Sequence, residues 1–138
     1  MKIVITGASG FLGSQLLKKL ENSNHKLILI DNYLPKIETK HFFIKANLLN
    51  LSEYEKYLKN TDIIFHFAAI SDIDYSKKYS TLTLETNILS TKYLLDISLK
   101  YKIKKFIFAS TIYVNSFKGS FYRISKQTCE NIIKEYHR

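Results

Sequence analysis

The chain contains 138 residues with a hydrophobic content of 46% and a single proline, which fits one globular domain and excludes a disordered chain. No apolar run approaches the roughly 20 residues that span a bilayer, and Met1 and Lys2 lead directly into a predicted strand, so we expect a cytoplasmic protein that is not bound to a membrane. Cys129 is the only cysteine, which excludes an internal disulfide, and without a ligand cluster around it we expect no metal site.

The net charge of +9 raises the alternative of nucleic-acid binding. Only two of the 21 basic residues are arginines, and the lysines are scattered over predicted helices and turns. Because they form no single basic stripe, we interpret them as solvated surface lysines whose field could help to attract an anionic cofactor or substrate. We therefore expect no nucleic-acid partner.

The first predicted element is a strand, formed by the β-branched apolar run from Ile3 to Thr6. Three of the four glycines follow, at positions 7, 10 and 13, and a helical pattern with an apolar stripe continues through Phe11, Leu12, Leu16, Leu17 and Leu20. Gly7 allows a sharp turn, Gly10 leaves no Cβ to block a phosphate, and Gly13 lets the helix pack close to the strand. The pattern predicts a dinucleotide-binding turn with the pyrophosphate at the helix N-terminus, and the alternative is a purely structural turn.

The second predicted strand is the apolar run from Leu27 to Ile30, and it ends at Asp31. Such a continuous run is typical of a parallel strand that is buried on both faces. Asp31 lies 18 residues after Gly13, close to the position where a carboxylate accepts hydrogen bonds from the adenosine ribose. Because a carboxylate repels a 2′-phosphate, Asp31 favours NAD over NADP. The alternative is an aspartate that merely ends a strand in a turn.

The middle of the chain alternates between strands and connections. We predict a loop over residues 32–40, a strand over 41–46, a short helix over 51–58 and a strand over 63–69. Ser52 is a candidate N-cap of the short helix. His66 lies within an apolar strand, so we interpret it as a hydrogen-bonded core residue and not as a metal ligand.

The second half is predicted to contain a polar loop over 72–79, a long helix over 80–101, a strand over 104–110 and a helix over 121–136 with Ser120 as N-cap. Alternating strands and helices predict an α/β domain over residues 1–138, with a doubly wound parallel sheet of the Rossmann type. Right-handed crossovers give five strands in the order 3-2-1-4-5.

The carboxyl ends of parallel strands are where ligands bind in such sheets. Ser110 and Thr111 follow the fifth strand, and Tyr122 and Lys126 share a helix face because they are four residues apart. Tyrosine and lysine are so common in this chain that the same Tyr-x-x-x-Lys spacing occurs again at Tyr101 and Lys105. That second pair lies at the amino edge of the predicted sheet, so only Tyr122 and Lys126 are expected to reach a cofactor.

Together these motifs resemble the extended short-chain dehydrogenases/reductases, and most closely the NAD-dependent nucleotide-sugar epimerases and dehydratases. The residues that carry the resemblance are Thr6-Gly7-Ala8-Ser9-Gly10-Phe11-Leu12-Gly13, Asp31, His66-Phe67-Ala68-Ala69, Asn87, Ser110-Thr111 and Tyr122-x-x-x-Lys126. They occur along the whole chain in the family's order. Asn47-Leu48 matches the family's acidic-Leu pair beside the adenine, with Asn47 in place of the acid.

The resemblance implies a catalytic triad and a cofactor site. Tyr122 would be the acid/base, Lys126 would bind the nicotinamide ribose and lower the pKa of the tyrosine, and Thr111 would hydrogen-bond the substrate oxygen. The implied NAD-binding residues are Gly7, Ser9, Gly10, Phe11, Leu12, Gly13, Asp31, Asn32, Asn47, Leu48, Phe67, Ala68, Ala69, Asn87, Tyr122 and Lys126. A free tyrosine has a pKa near ~10, so Lys126 and the nicotinium charge together would have to lower it by about three pH units.

The resemblance also sets expectations for the whole protein. Family members continue with further strands and a nucleotide-sugar-binding part, so we expect a truncated form with little turnover of its own. We also expect a homodimer through the helices over 80–101 and 121–136, which pair subunits in the family. The sequence does not distinguish epimerisation, dehydration and reduction, and a non-catalytic NAD-binding module or partner subunit remains an alternative.

Overall fold

The computed structural model describes all residues from 1 to 138. Its five strands are β1 (Lys2–Thr6), β2 (Lys26–Asp31), β3 (Phe42–Lys45), β4 (Ile63–His66) and β5 (Lys105–Phe108). Its α-helices are α1 (Phe11–Leu20), α2 (Ile73–Lys78), α3 (Ser80–Leu84), α4 (Ser90–Lys100) and α5 (Ser120–His137). The chain forms two compact units, one of Met1–Ala68 and Ile97–Ala109, the other of Ala69–Asp96 and Ser110–Arg138.

The first unit contains a parallel sheet in the order β3-β2-β1-β4-β5, which confirms the predicted fold and strand order. The central strands are the continuous apolar runs, because a parallel strand must bury both of its faces. Their side chains form the core with residues of α1, namely Ile3, Ile5, Ala8, Leu17, Leu27 and Leu29. Each fully buried aliphatic side chain of this kind contributes about 1.5–3 kcal/mol.

Helix α1 is present, but its buried face does not include the whole predicted stripe. Gly13 and Leu17 are buried, whereas Phe11 and Leu12 are 79% and 50% exposed. The prediction of an apolar stripe through Phe11 and Leu12 was wrong, because the side chains of this first turn are largely in contact with solvent and not with the core.

The connection between β3 and β4 is not an α-helix. It contains two short 3₁₀ turns, Leu51–Glu53 and Glu55–Leu58, and Ser52 does not cap them. The Ser52 hydroxyl instead donates to Asn50 Oδ1 over 2.7 Å. Tyr54, which is fully buried, anchors the turns from within the unit.

The second unit begins with a short helix where a polar loop was predicted. Asp72 Oδ1 accepts a hydrogen bond from Tyr75 N over 2.7 Å and so caps α2. The predicted helix over 80–101 is present as α3, a π turn over Glu85–Leu89, and α4. The π turn places one extra residue in the helix, which no periodicity in the sequence indicates.

Helix α5 begins one residue earlier than predicted and has a different cap. Gly119 is the N-cap with φ +95°, and Ser120 is the first helical residue with φ +49°, so Ser120 as N-cap was wrong. A Cβ on Gly119 would lie 2.8 Å from Tyr113 Cβ, so only glycine fits this turn.

Two further findings concern the whole chain. None of its helices combines the length and the apolar character that crossing a membrane requires. No group of three or more His, Cys, Asp or Glu side chains lies close enough together to hold a metal ion.

Candidate functional site

The glycine turn brings three segments of the first unit into close contact. Gly7 has φ +68°, and a Cβ added to it would lie 2.6 Å from Ala68 N. A Cβ on Gly13 would lie 2.2 Å from Gly7 O, whereas one on Gly10 would meet only Gly7 O at 3.2 Å. Gly7 and Gly13 are therefore required by packing. Gly10 has open space beside it, as a site that admits a ligand needs.

The N-terminus of α1 lies at this open space. The hydrogen bond from Ser14 N to Gly10 O, 2.9 Å long, is the first of the i to i−4 type in α1. The N–H groups of Phe11, Leu12 and Gly13 precede that bond, so helix geometry leaves them without an i−4 partner. These donors and the exposed first turn suit the pyrophosphate of a dinucleotide, and this chemistry fits NAD.

The carboxylate of Asp31 is held at the end of β2. Asp31 Oδ2 accepts from Ser9 N over 2.9 Å, and Oδ1 accepts from Tyr33 N over 3.0 Å. Ser9 Oγ also donates to Tyr33 O over 2.7 Å, while Asn32 is exposed between them. Asp31 thus does have the turn role of the alternative interpretation. Since each carboxylate oxygen can accept two bonds, both oxygens keep capacity for ribose hydroxyls.

Asn47 and Leu48 follow β3 and are fixed by the 3₁₀ turns. Asn47 Oδ1 accepts from Leu49 N over 3.0 Å, and the buried Leu48 accepts from the Tyr54 hydroxyl through its carbonyl over 2.8 Å. Sequence reasoning missed Glu53, whose Oε2 accepts from Asn47 N over 2.9 Å. Glu53 therefore places a carboxylate beside the backbone of Asn47.

Phe67 and Ala68 leave β4 along a hydrogen-bonded backbone. Phe67 N donates to Thr6 O over 3.1 Å, and Ala68 N donates to Thr6 Oγ1 over 3.3 Å. The same Thr6 hydroxyl hydrogen-bonds to His66 Nδ1 over 2.7 Å, and both side chains are buried. The prediction of His66 as a hydrogen-bonded core residue is confirmed. Thr6 and His66 set the path of the backbone that packs against Gly7.

The second unit brings together Thr111, Tyr122 and Lys126. The Thr111 side chain lies close enough to the Tyr122 hydroxyl to influence its pKa, and Lys126 Nζ lies 5.8 Å from the centroid of the Tyr122 ring. Tyr122 is half-buried and Lys126 is only 3% exposed. Thr111 is held by its position at the N-cap of a 3₁₀ turn over Ile112–Asn115, where its side chain accepts from Tyr113 N.

Burial dominates the electrostatics of this group. It raises the pKa of Tyr122 above its ordinary value, although the polar Thr111 side chain acts in the opposite direction. It also lowers the pKa of Lys126 to about 8. The chain alone therefore does not produce the lowered tyrosine pKa that the resemblance implies. A lowered value requires a further positive charge beside the hydroxyl.

Asn87 lies in the π turn and is 2% exposed. Its Oδ1 accepts from Ile70 N over 2.8 Å, and its Nδ2 donates to Ile70 O over 3.0 Å and to Ser125 Oγ over 2.9 Å. Both amide protons are therefore used within the unit, on the segment that begins with Ala69 and on α5. Cys129 is buried beside Asn87 and donates to its carbonyl, as an ordinary helix residue does.

Comparison with known proteins gives a consistent result. The family model described as "NAD dependent epimerase/dehydratase family" matches residues 3–138. A dTDP-D-glucose 4,6-dehydratase of Dictyostelium discoideum is 41% identical over 130 residues, covering 80% of this chain and 29% of that protein. A D-erythronate dehydrogenase of Haemophilus influenzae is 35% identical, covering 100% of this chain and 50% of that protein.

Solved structures are similar over the whole chain. A UDP-glucose 4-epimerase from Thermotoga maritima has a TM-score of 0.90 at 27% identity, covering 100% of this chain and 52% of the other. A UDP-glucuronic acid 4-epimerase from Bacillus cereus, in complex with UDP-glucuronic acid and NAD, has a TM-score of 0.87 at 30% identity. The present chain covers 52% of that protein, so it spans about half of the length of both.

Proposed function

The chain belongs to the NAD dependent epimerase/dehydratase family, and we propose that it is the cofactor-binding and acid/base part of an enzyme that acts on a nucleotide-sugar. The observation that carries the proposal is the position of the buried Lys126, whose Nζ lies 5.8 Å from the centroid of the Tyr122 ring on the same helix. A phenol, an ammonium group and the Thr111 hydroxyl are the residue types that the proposed acid/base chemistry needs.

NAD binding is proposed for the residues named from the sequence. The N–H groups at the start of α1 would bind the pyrophosphate, and the free acceptor positions of Asp31 would bind the adenosine ribose. Asp31 supports a preference for NAD because its charge would repel the 2′-phosphate of NADP. Ser9 and Asn87 would act by positioning, since Ser9 holds Asp31 and Asn87 holds the segment at Ile70.

In catalysis the phenolate form of Tyr122 would accept the proton of a sugar hydroxyl as hydride leaves the same sugar carbon for NAD, and Thr111 would hold that sugar oxygen in line. NAD, when bound, supplies the hydride acceptor and a positive nicotinamide ring. Lys126 would bind the nicotinamide ribose and, when protonated, stabilise the phenolate form of Tyr122. Because burial raises the pKa of Tyr122 in the chain alone, proton acceptance at neutral pH would depend on these positive charges.

A binding experiment tests the cofactor part of the proposal. Calorimetric titration of the 138-residue chain with NAD and with NADP should show tighter binding of NAD. Asp31→Asn should reduce the difference between the affinities for NAD and NADP, because it removes the charge that repels the 2′-phosphate. Asp74→Asn, an exposed aspartate in α2, is the control for the loss of one charge. Equal binding of NAD and NADP to the unaltered chain would contradict the role of Asp31.

A second experiment tests the acid/base part. The chain is mixed with NAD and UDP- or dTDP-hexoses, and reduced nicotinamide and altered sugar are measured. Any activity should vanish in Tyr122→Phe, while NAD binding persists. Binding of NAD without any turnover would favour the alternative of a non-catalytic module or partner subunit. Steep salt dependence of retention on DNA, with no effect of NAD, would instead favour a nucleic-acid binder.

A homodimer through the helices over 80–101 and 121–136 is also proposed, on the basis of the family resemblance. Light scattering at high protein concentration should give twice the monomer mass. Ile124→Glu, at an exposed apolar position of α5, should shift the protein towards the monomer. A monomer mass for the unaltered chain at all concentrations would contradict the dimer.

A further inference from the structure

A row of polar side chains on α5 contacts the segment that carries Thr111. The three hydrogen bonds are Arg123 Nη1 to Ser116 O at 2.8 Å, Gln127 Nε2 to Val114 O at 2.8 Å, and Ser110 Oγ to Glu130 Oε1 at 2.5 Å. We call Arg123, Gln127 and Glu130 the α5 row. As the residue number along α5 increases from 123 to 130, the number of the contacted residue decreases from 116 to 110. The segment over residues 110–116 therefore runs antiparallel to the helix and is hydrogen-bonded to it near both of its ends.

The spacing of the row follows from helix geometry. Its members are four and three residues apart, so they lie on one face of α5. Tyr122 and Lys126 occupy the neighbouring face, since each precedes a member of the row by one residue, which is roughly 100° around the helix. The helix therefore presents the acid/base pair on one face and fastens the Thr111 segment on the next.

The segment has few other constraints on Thr111. Within the segment, Thr111 is held by a bond from Tyr113 N to its Oγ1 at 3.4 Å, which is long for a hydrogen bond, and by Val114 N to its carbonyl at 3.3 Å. Ile112 and Phe117 are 85% and 101% exposed, so these side chains contribute little packing. The bonds to α5 are shorter than the bonds within the turn, and they connect the turn directly to the helix of Tyr122.

We propose that the α5 row consists of positioning residues that fix the segment of Thr111, and with it the Thr111 hydroxyl, on the helix that carries Tyr122. The proposal rests on the proposed function for the importance of Thr111 beside Tyr122, and on the three hydrogen bonds of the row for the position of the segment. A displacement of the segment by about 1 Å would change the distance between the Thr111 and Tyr122 side chains, and such displacements are costly in active sites. The row would then matter for catalysis without touching substrate or cofactor.

The test measures the effect of Thr111 on Tyr122 and not turnover. The Thr111 side chain acts to lower the pKa of Tyr122, so moving this side chain away should raise that pKa. The 138-residue chain is labelled with ¹³C at the tyrosine ring carbon that bears the hydroxyl, and the Tyr122 signal is assigned by its loss in Tyr122→Phe. Thr111→Val gives the reference change in the Tyr122 pKa when the Thr111 hydroxyl is missing.

Two uncharged substitutions break the row. Gln127→Leu removes a donor without changing charge, and Ser110→Ala removes the bond to Glu130 at an exposed position, where folding is not at risk. Each should raise the pKa of Tyr122 in the same direction as Thr111→Val, and neither should add a further rise in the Thr111→Val background. Glu130→Gln keeps a hydrogen-bond acceptor for the Ser110 hydroxyl, so it should raise the pKa of Tyr122 less than Ser110→Ala does.

Other outcomes would overturn the proposal. An unchanged Tyr122 titration in Gln127→Leu and Ser110→Ala, with a shift in Thr111→Val, would show that the row does not position Thr111. Shifts that add fully to that of Thr111→Val would show that the row acts on Tyr122 by another route. An unchanged pKa of Tyr122 in Thr111→Val would show that Thr111 does not act on Tyr122, which would also overturn the proposal. None of these results depends on turnover, so failure of the proposed function would be recognised separately.

Discussion

The burial of Lys126 makes a prediction about the pH dependence of stability. Its pKa is about 8 in the folded chain, compared with an ordinary value of 10.5. The folded state therefore releases the lysine proton before the unfolded state does, so the free energy of unfolding increases as pH rises from about 8 towards 10.5. Below about pH 8 the folded chain carries the full cost of the buried charge. The difference between the two pKa values corresponds to about 3 kcal/mol.

The expected size within an accessible pH range is smaller. Between pH 7 and pH 9 the lysine should contribute a gain of about 1.4 kcal/mol, because only part of its titration lies below pH 9. Two neighbouring groups lower the free energy of unfolding at higher pH, because burial raises the pKa of Cys129 and of Tyr122. Their folded forms keep a proton that the unfolded forms lose above about pH 9 and 10 respectively, which lowers stability there. The measurement should therefore stop at pH 9.

The assay is urea denaturation of the unaltered chain and of Lys126→Met at pH 7, 8 and 9. The free energy of unfolding of the unaltered chain, relative to Lys126→Met, should increase by about 1.4 kcal/mol over this range. Lys134→Met replaces an exposed lysine of α5 and controls for the loss of a positive charge. A constant difference between the unaltered chain and Lys126→Met would refute the reasoning, because the ammonium would then be as stable in the fold as in water.

Three further predictions concern the geometry of the glycine turn and of two buried polar groups, all measured by urea denaturation. Gly13→Ala should cost about 3 kcal/mol, because its Cβ would lie 2.2 Å from Gly7 O. Gly10→Ala should cost less than about 1 kcal/mol while weakening NAD binding, and equal costs at the two positions would contradict this distinction. Asn87→Ala should cost about 3 kcal/mol because three buried hydrogen bonds are lost, and a cost below about 1 kcal/mol would show that water replaces them. Tyr54→Phe should cost about 1–2 kcal/mol through the loss of one buried hydrogen bond to a carbonyl, and no cost would show that the bond is unimportant.

Local sequence patterns predicted a structural element correctly wherever the residues of that element decide its conformation. The continuous apolar runs of β1 and β2 predicted buried parallel strands, and the glycine spacing predicted the sharp turn at Gly7 and the close packing at Gly13. Asp72 shows where polarity alone misleads. The polar composition of residues 72–79 predicts a loop, but the Asp72 carboxylate accepts a hydrogen bond from Tyr75 N and so stabilises the start of α2.

Other features depend on contacts between segments that are distant in sequence. The requirement for glycine at position 119, the N-cap of α5, is set by Tyr113, whose Cβ would lie 2.8 Å from a Cβ at that position. The π turn at Asn87 coincides with hydrogen bonds to Ile70 and Ser125, and no residue within the helix predicts those partners. Such features have no periodic signal in the sequence.

By itself the sequence determined the fold class, the strand order and the identity of the residues at the carboxyl ends of the strands. These follow from hydrophobic periodicity, from glycine spacing and from the handedness of crossovers, which are all local or topological rules. Only the tertiary structure decided that Lys126 is buried, that burial raises the pKa of Tyr122, and that α5 fastens the Thr111 segment. Desolvation and hydrogen-bond partners depend on which distant segments pack together, so they become defined only when the chain is folded.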